Sequence, residues 1–126
     1  MEKIKINSEQ APKAIGPYAQ GIAFGELVFT SGQLPLNPET GTLEQGSIEE
    51  ATRRTIGNLQ AVLEAADSDL SKVLKATVYL KDLNDFAAMN AIYAEYFGEN
   101  PPARTCFQVA KLPMDAIIEI EAIAHK

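Results

Sequence analysis

The sequence predicts an α+β fold in which two helices cover one face of a mixed sheet of about six strands. Three observations carry that reading: two amphipathic segments at helical spacing, six short runs of strand character, and their order along the chain, βββαβαββ. A length of 126 residues with 46% hydrophobic side chains suits a single domain spanning 1–126. A chain of this size buries about two-thirds of the surface its unfolded form exposes. No internal repeat, charge block or low-complexity segment suggests a boundary.

Each element has its own local reason. Lys3 to Ile6 reads as a short strand, followed by a loop punctuated by Ala11-Pro12 and Ile15-Gly16-Pro17-Tyr18. Ile22-Ala23-Phe24 and Leu27 to Thr30 flank Gly25-Glu26, and glycine in the first central position suits a type II′ hairpin turn. Gly32 to Gly46, rich in Pro, Asn, Gly and Thr, is a connection, and connections of that length are often functional. Ser47 with Glu50 is a capping-box pattern, after which Ala51, Thr55, Leu59, Val62, Leu63 and Ala66 recur at helical spacing. Val73 to Leu80 is a strand with Leu74, Ala76, Val78 and Leu80 expected on one face. A second helix, from about Leu83 to Phe97, carries Phe86, Met89, Tyr93 and Phe97 along a stripe and stops at Gly98. After Pro101-Pro102 a strand places Arg104, Cys106 and Gln108 on one face and Thr105, Phe107 and Val109 on the other. Lys111 to Asp115 is a turn. The last strand, Ile117 to Ala124, sends Ile118, Ile120, Ala122 and Ala124 one way and Ile117, Glu119, Glu121 and Ile123 the other. Helices cover one sheet face, and the opposite face needs another partner.

Composition removes several function classes. A formal charge of −6 and a pI near 4.7 argue against a phosphate-binding surface, and hence against nucleic acid. One cysteine, Cys106, and one histidine, His125, leave no intrachain disulfide and no four-ligand zinc site. The N-terminal stretch lacks the apolar core of a secretory signal and no segment is long enough to span a membrane, so the expectation is a cytoplasmic protein. Gly41 to Gly46 has phosphate-loop spacing, but Ser47 stands where the lysine belongs.

A few positions carry possible chemistry. Arg104 follows two prolines that stiffen its approach, and a fixed guanidinium either grips a carboxylate bidentately or ends a structural salt bridge. Glu119 and Glu121 share one face of an apolar strand, where a carboxylate faces solvent, pairs with a cation or handles protons; periodicity does not separate the two. Asn90 falls within the stripe of Phe86, Tyr93 and Phe97, where its amide needs a partner, either a loop backbone or a ligand. Tyr18 and Gly32 lie in loops, where a hydroxyl or a close backbone approach serves either a turn or a ligand. Cys106 reads as a small buried hydrophobe.

Taken in order, Ile15-Gly16-Pro17-Tyr18-Ala19-Gln20, Ser31-Gly32-Gln33-Leu34-Pro35, Lys81 to Phe86 with Asn90, Pro102-Ala103-Arg104-Thr105-Cys106, Leu112-Pro113 and Ile118 to Ala124 resemble the RidA/YjgF family, the reactive intermediate deaminases. The resemblance runs essentially end to end. It implies a chorismate-mutase-like fold assembled as a homotrimer, its sheets facing a central barrel, with three identical clefts at subunit interfaces. It implies cofactor-independent hydrolysis of enamines and imines such as 2-aminoacrylate, 2-iminopropanoate and 2-iminobutanoate to 2-keto acids and ammonia. Carried onto this sequence, Arg104 holds the substrate carboxylate and Glu119 positions or activates water. Tyr18, Gly32, Asn90 and Cys106 line the cleft, Cys106 through its backbone. The rival expectations are a non-catalytic trimer that binds keto acids or other carboxylates, and an endoribonuclease or translation inhibitor, which the acidic balance counts against.

Overall fold

The structure, a computed structural model, describes residues 1–126. Strands β1 (Ile4–Ile6), β2 (Gly21–Phe24), β3 (Leu27–Thr30), β4 (Val73–Leu80), β5 (Ala103–Gln108) and β6 (Ile118–His125) form one mixed sheet in the order β1-β2-β3-β6-β4-β5. Helices α1 (Ile48–Ala65) and α2 (Phe86–Phe97) pack against each other and on the same sheet face. The expected α+β arrangement is therefore the one found.

The β2–β3 hairpin closes through Phe24 opposite Leu27, with φ +60° at Gly25 and no positive φ at Glu26, the signature of a II′ turn. Helix α1 starts where Ser47 accepts the Glu50 backbone N–H at 3.0 Å, satisfying one of the free N-terminal donors. Helix α2 begins at Phe86 rather than at Leu83, because Leu83–Asp85 is a tight 3₁₀ turn capped by Asp82. The unit β4-α2-β5 returns the chain to a parallel edge strand.

Strand β6 lies at the middle of the sheet and organises the core. Ile118, Ile120, Ala122 and Ala124 are buried under the helices with Val28, Ala76, Val78, Leu80, Leu59, Val62 and Leu63. One expectation fails here. Leu74 is 48% exposed and Val73 takes its place in the core, because an irregularity in the β4–β6 ladder between Val73 and Lys75 shifts the alternation by one residue. The opposite sheet face has no covering layer in the chain and leaves Phe24, Leu27, Phe29, Phe107 and Ile123 exposed. No helix is long and apolar enough to cross a membrane.

The Gly32–Gly46 connection is tied to α1 by a buried amide. Asn58 donates to the carbonyls of Leu34 (3.0 Å) and Leu36 (2.8 Å) and accepts from Arg54 at 2.9 Å. A fully buried asparagine on a helix face otherwise made of Ala51, Ile56, Leu59 and Val62 is thus a tether for a loop. Asn58→Ala is expected to cost about 2 kcal/mol, the net value of two partly buried hydrogen bonds. Urea unfolding at fixed protein concentration checks it, the midpoint falling with the slope unchanged.

Candidate functional site

On β5, Arg104 and Cys106 alternate with Thr105 and Phe107 as expected, and the register assigns their faces. Ala76 pairs with both Arg104 and Ala122, so Arg104 lies on the helix-covered face; Tyr79 pairs with both Phe107 and Glu119, so Glu119 lies on the uncovered one. Within one chain the two central candidates are therefore on opposite sides of the sheet. The structure gathers the candidates into two groups.

The first group surrounds Arg104. Its Nη1 donates to Asn90 Oδ1 at 2.7 Å, and its guanidinium lies 4.7 Å from the centroid of the Tyr93 ring and 5.5 Å from that of Phe86. Phe86, Asn90 and Tyr93 meet at one place because they are spaced by four and three residues along α2. Asn90 thus satisfies its amide oxygen on the arginine, rather than on a loop backbone. No carboxylate pairs with Arg104: the ion pairs of the chain are Arg53–Glu95 and Lys81–Asp115. An amide oxygen and two ring faces hold the guanidinium in place while leaving its full charge and its remaining donors for a ligand. A cavity of about 370 Å³ adjoins it, walled by Asn90, Tyr93, Phe97, Pro101 and Pro102. Burial pushes the Cys106 thiol above its ordinary pKa against the pull of Arg104, so it is not a thiolate nucleophile at neutral pH. The Tyr93 hydroxyl is buried without a partner, and burial raises its pKa as well.

The second group surrounds Gly32. Between the pairs Phe29–Ile123 and Gln33–Ile120 the chain advances four residues on the β3 side and three on β6, which is a β-bulge. The bulge brings Gly32 against Glu119, where a Cβ on Gly32 would collide with the Glu119 carboxylate. A side chain at that position would require the Glu119 side chain to move. Ser31 fixes the bulge to the preceding loop, its N–H donating to Gln20 O at 2.8 Å and its hydroxyl to Ala19 O at 2.6 Å. Gln20 is itself buried, with its amide bonded to the Ser8 N–H (2.6 Å) and the Pro12 carbonyl (2.8 Å). That cross-linked loop presents Tyr18 beside Gly32 in a cavity of about 310 Å³.

The two glutamates of β6 are no longer equivalent. Glu121 accepts a hydrogen bond from the Tyr79 hydroxyl, whose pKa the bond lifts to about 12. Glu119 receives no such donor, and burial first, then the charge of Glu121, holds its carboxyl above the ordinary carboxylate value. A half-buried carboxylate of raised basicity, beside a glycine gap, is equipped to orient a water and take its proton.

Sequence reasoning missed Tyr93 and Phe86 as the seat of Arg104, although the 86/90/93 spacing contained the signal. It also missed Gln20 and Ser31 as scaffold. The bulge leaves no mark that periodicity could detect.

Comparison with known proteins agrees with this architecture. The family model described as Endoribonuclease L-PSP matches residues 8–126. A RutC family protein of Pyrococcus abyssi is 55% identical over 126 residues, covering 100% of this chain and 99% of that protein. The 2-iminobutanoate/2-iminopropanoate deaminase of Escherichia coli is 48% identical over 122 residues, 94% of each chain. Among solved structures, E. coli TdcF with bound serine superposes with a TM-score of 0.93 at 43% identity, covering 98% of both chains. With a family model matching residues 8–126 and a relative 55% identical over the whole chain, the chain belongs to the Endoribonuclease L-PSP family, the family of RidA and YjgF.

Proposed function

We propose that this protein hydrolyses small 2-imino acids to 2-keto acids and ammonia, in clefts that form where the Arg104 group of one protomer meets the Gly32–Glu119 group of another. The observation that carries the reading is the pairing of an unneutralised, rigidly seated guanidinium with a partnerless basic carboxylate on the opposite sheet face. A single chain keeps the two apart, and a second copy is the simplest way to join them. The exposed apolar side chains of the uncovered face, Phe29, Phe107 and Ile123 among them, support an assembly in which three copies turn that face inward.

The chemistry follows from the parts. The substrate carboxylate binds Arg104 through the donors Asn90 leaves free, which orients the C=N bond. Glu119 accepts a proton from water as the oxygen attacks C2, forming a tetrahedral carbinolamine. Glu119 returns that proton to the nitrogen, and the carbinolamine hydroxyl proton follows to the nitrogen through the same carboxylate as the C2–N bond breaks, so that ammonia leaves and the C2 oxygen becomes the keto group. Imine plus water gives keto acid plus ammonia, with no other reactant. An enamine such as 2-aminoacrylate enters after protonation at C3 to the imine. The imine carbon is already electrophilic, so positioning and one proton carrier suffice. Retention of a carboxylate metabolite without turnover is the second reading, favoured by the serine bound to the relative TdcF.

The experiment is disappearance of 2-iminobutanoate and 2-aminoacrylate generated in situ by a threonine/serine dehydratase. Acceleration by the wild-type protein supports hydrolysis; tight 2-ketobutyrate binding with no acceleration supports retention alone. Arg104→Lys is expected to lose about 100-fold in kcat/KM, as a point charge replaces a charged two-pronged contact. Unchanged turnover in Arg104→Lys, or RNA cleavage that requires Arg104, would contradict the assignment.

Glu119→Gln is expected to lower kcat about 100-fold or more with little change in KM. Its acid limb has a direction too: activity falls as Glu119 takes up a proton, at a pH above the ordinary carboxylate range. Glu121→Gln removes the neighbouring charge and should move that limb to lower pH, read from kcat/KM against pH.

The same shift acts on stability. Because folding raises the Glu119 pKa, the native state binds a proton more readily than the unfolded one. The resulting stability is complete below about 4.5, the ordinary value, and is lost as pH rises through the folded value. Glu119→Gln stays neutral, so its stability advantage over wild type should open as pH rises from 4 towards 7, measured by denaturant midpoints.

A further inference from the structure

The backbone is strained at one point beside the Gly32 cavity. Met114 (φ 59°, ψ 18°) and Asp115 (φ 55°) are consecutive non-glycine residues in the left-handed region, a conformation costly for side chains with a Cβ. Two separate fastenings hold the turn. Gln45 donates from Nε2 to the Asp115 carbonyl at 3.4 Å while its Oε1 accepts the Ile117 N–H at 3.0 Å; Lys81 pairs with the Asp115 carboxylate at 3.1 Å. Two distant segments, at Gln45 and Lys81, thus converge on Asp115, in a turn whose local preference is for another conformation.

The strained turn presents an apolar side chain at a cavity mouth. Met114 is 58% exposed and lines the same cavity of about 310 Å³ as Tyr18 and Gly32; Ile15, 85% exposed, stands on the wall as well. Leu34, Leu36 and Pro113 continue this apolar side of the wall, and Lys13, Gln20 and Gln33 supply its polar part. Neither Met114 nor Ile15 contributes to the hydrophobic core. Methionine is unbranched and polarizable, suited to an apolar group of variable shape.

Resting on the imine-hydrolysis reading above, we propose that Met114 sets the side-chain preference of the site, favouring 2-imino acids with aliphatic side chains of several carbons over the three-carbon 2-iminopropanoate. Its side chain touches the substrate's R group, away from the carboxylate held by Arg104 and from the C=N carbon. Gln45 acts through it by holding the turn.

The test compares kcat/KM for imines generated in situ from alanine and from leucine by an L-amino-acid oxidase, corrected for spontaneous hydrolysis. Wild type should prefer the leucine-derived imine. Met114→Ser should lower the leucine-to-alanine ratio about tenfold, the scale of losing contact with one or more methylenes. Met114→Leu should retain the ratio, and Gln45→Ala should lower it in the same direction. A ratio unchanged in Met114→Ser, in a preparation that hydrolyses both imines, overturns the Met114 assignment and leaves the hydrolysis reading standing. Absence of acceleration on either imine by wild type overturns that reading and this one with it.

Discussion

The two-residue alternation of β6 is the constraint on which the rest of the structure depends. A central strand with Ile118, Ile120, Ala122 and Ala124 sealed under the helices must send Glu119 and Glu121 to the other face, since a slip of one residue would bury both carboxylates. The parallel strand β5 inherits its phase through β4, and its phase puts Arg104 and Cys106 on the helix side. Arginine and glutamate are therefore separated by the thickness of the sheet for the same reason that the core is continuous. The proposed use of both groups in one cleft therefore calls for a second chain, and the uncovered apolar face is a surface on which one could pack.

How Arg104 is held bears on what it can do. A carboxylate would have fixed the guanidinium more strongly, but it would have neutralised the charge and occupied the donors that an anionic ligand needs. An amide oxygen and two aromatic faces fix it with less energy and leave the charge available. Helix α2 can provide all three groups because residues 86, 90 and 93 share one helical stripe. Asn90, which breaks the apolar pattern of that stripe, is the residue that turns a packing face into a seat for a cation.

What was legible in the sequence was what local periodicity and turn chemistry encode. The Gly25 hairpin, the Ser47 cap, the faces of β5 and β6 and the order of elements all follow from nearest-neighbour rules. What was not legible depends on pairing between distant strands. Strict alternation places Leu74 on the face of Ala76, Val78 and Leu80, but the ladder is irregular there and Leu74 is exposed. The bulge that seats Gly32 against Glu119 exists only in the register between β3 and β6. Asn58, a polar residue on a buried helix face, gains its meaning from the carbonyls of Leu34 and Leu36 that a loop far along the chain brings to it. The motif residues are recognisable as a pattern; their division between the two sheet faces, and from the scaffold that holds them, is visible only in three dimensions.

The division of labour between the glutamates shows how small a difference can assign a chemical role. Glu119 and Glu121 have the same strand, face and residue type, and alternation treats them alike. They differ in one donor: the Tyr79 hydroxyl bonds Glu121, while Glu119 meets the missing side chain of Gly32. Burial first, and then the neighbouring charge of Glu121, makes proton uptake at Glu119 easier. The group with the bound donor is tied to β4, and the group without one is left free to take the proton-carrying role proposed for it. A tyrosine on β4 and a glycine in a bulge decide between two otherwise identical carboxylates, and neither choice could have been made from β6 alone.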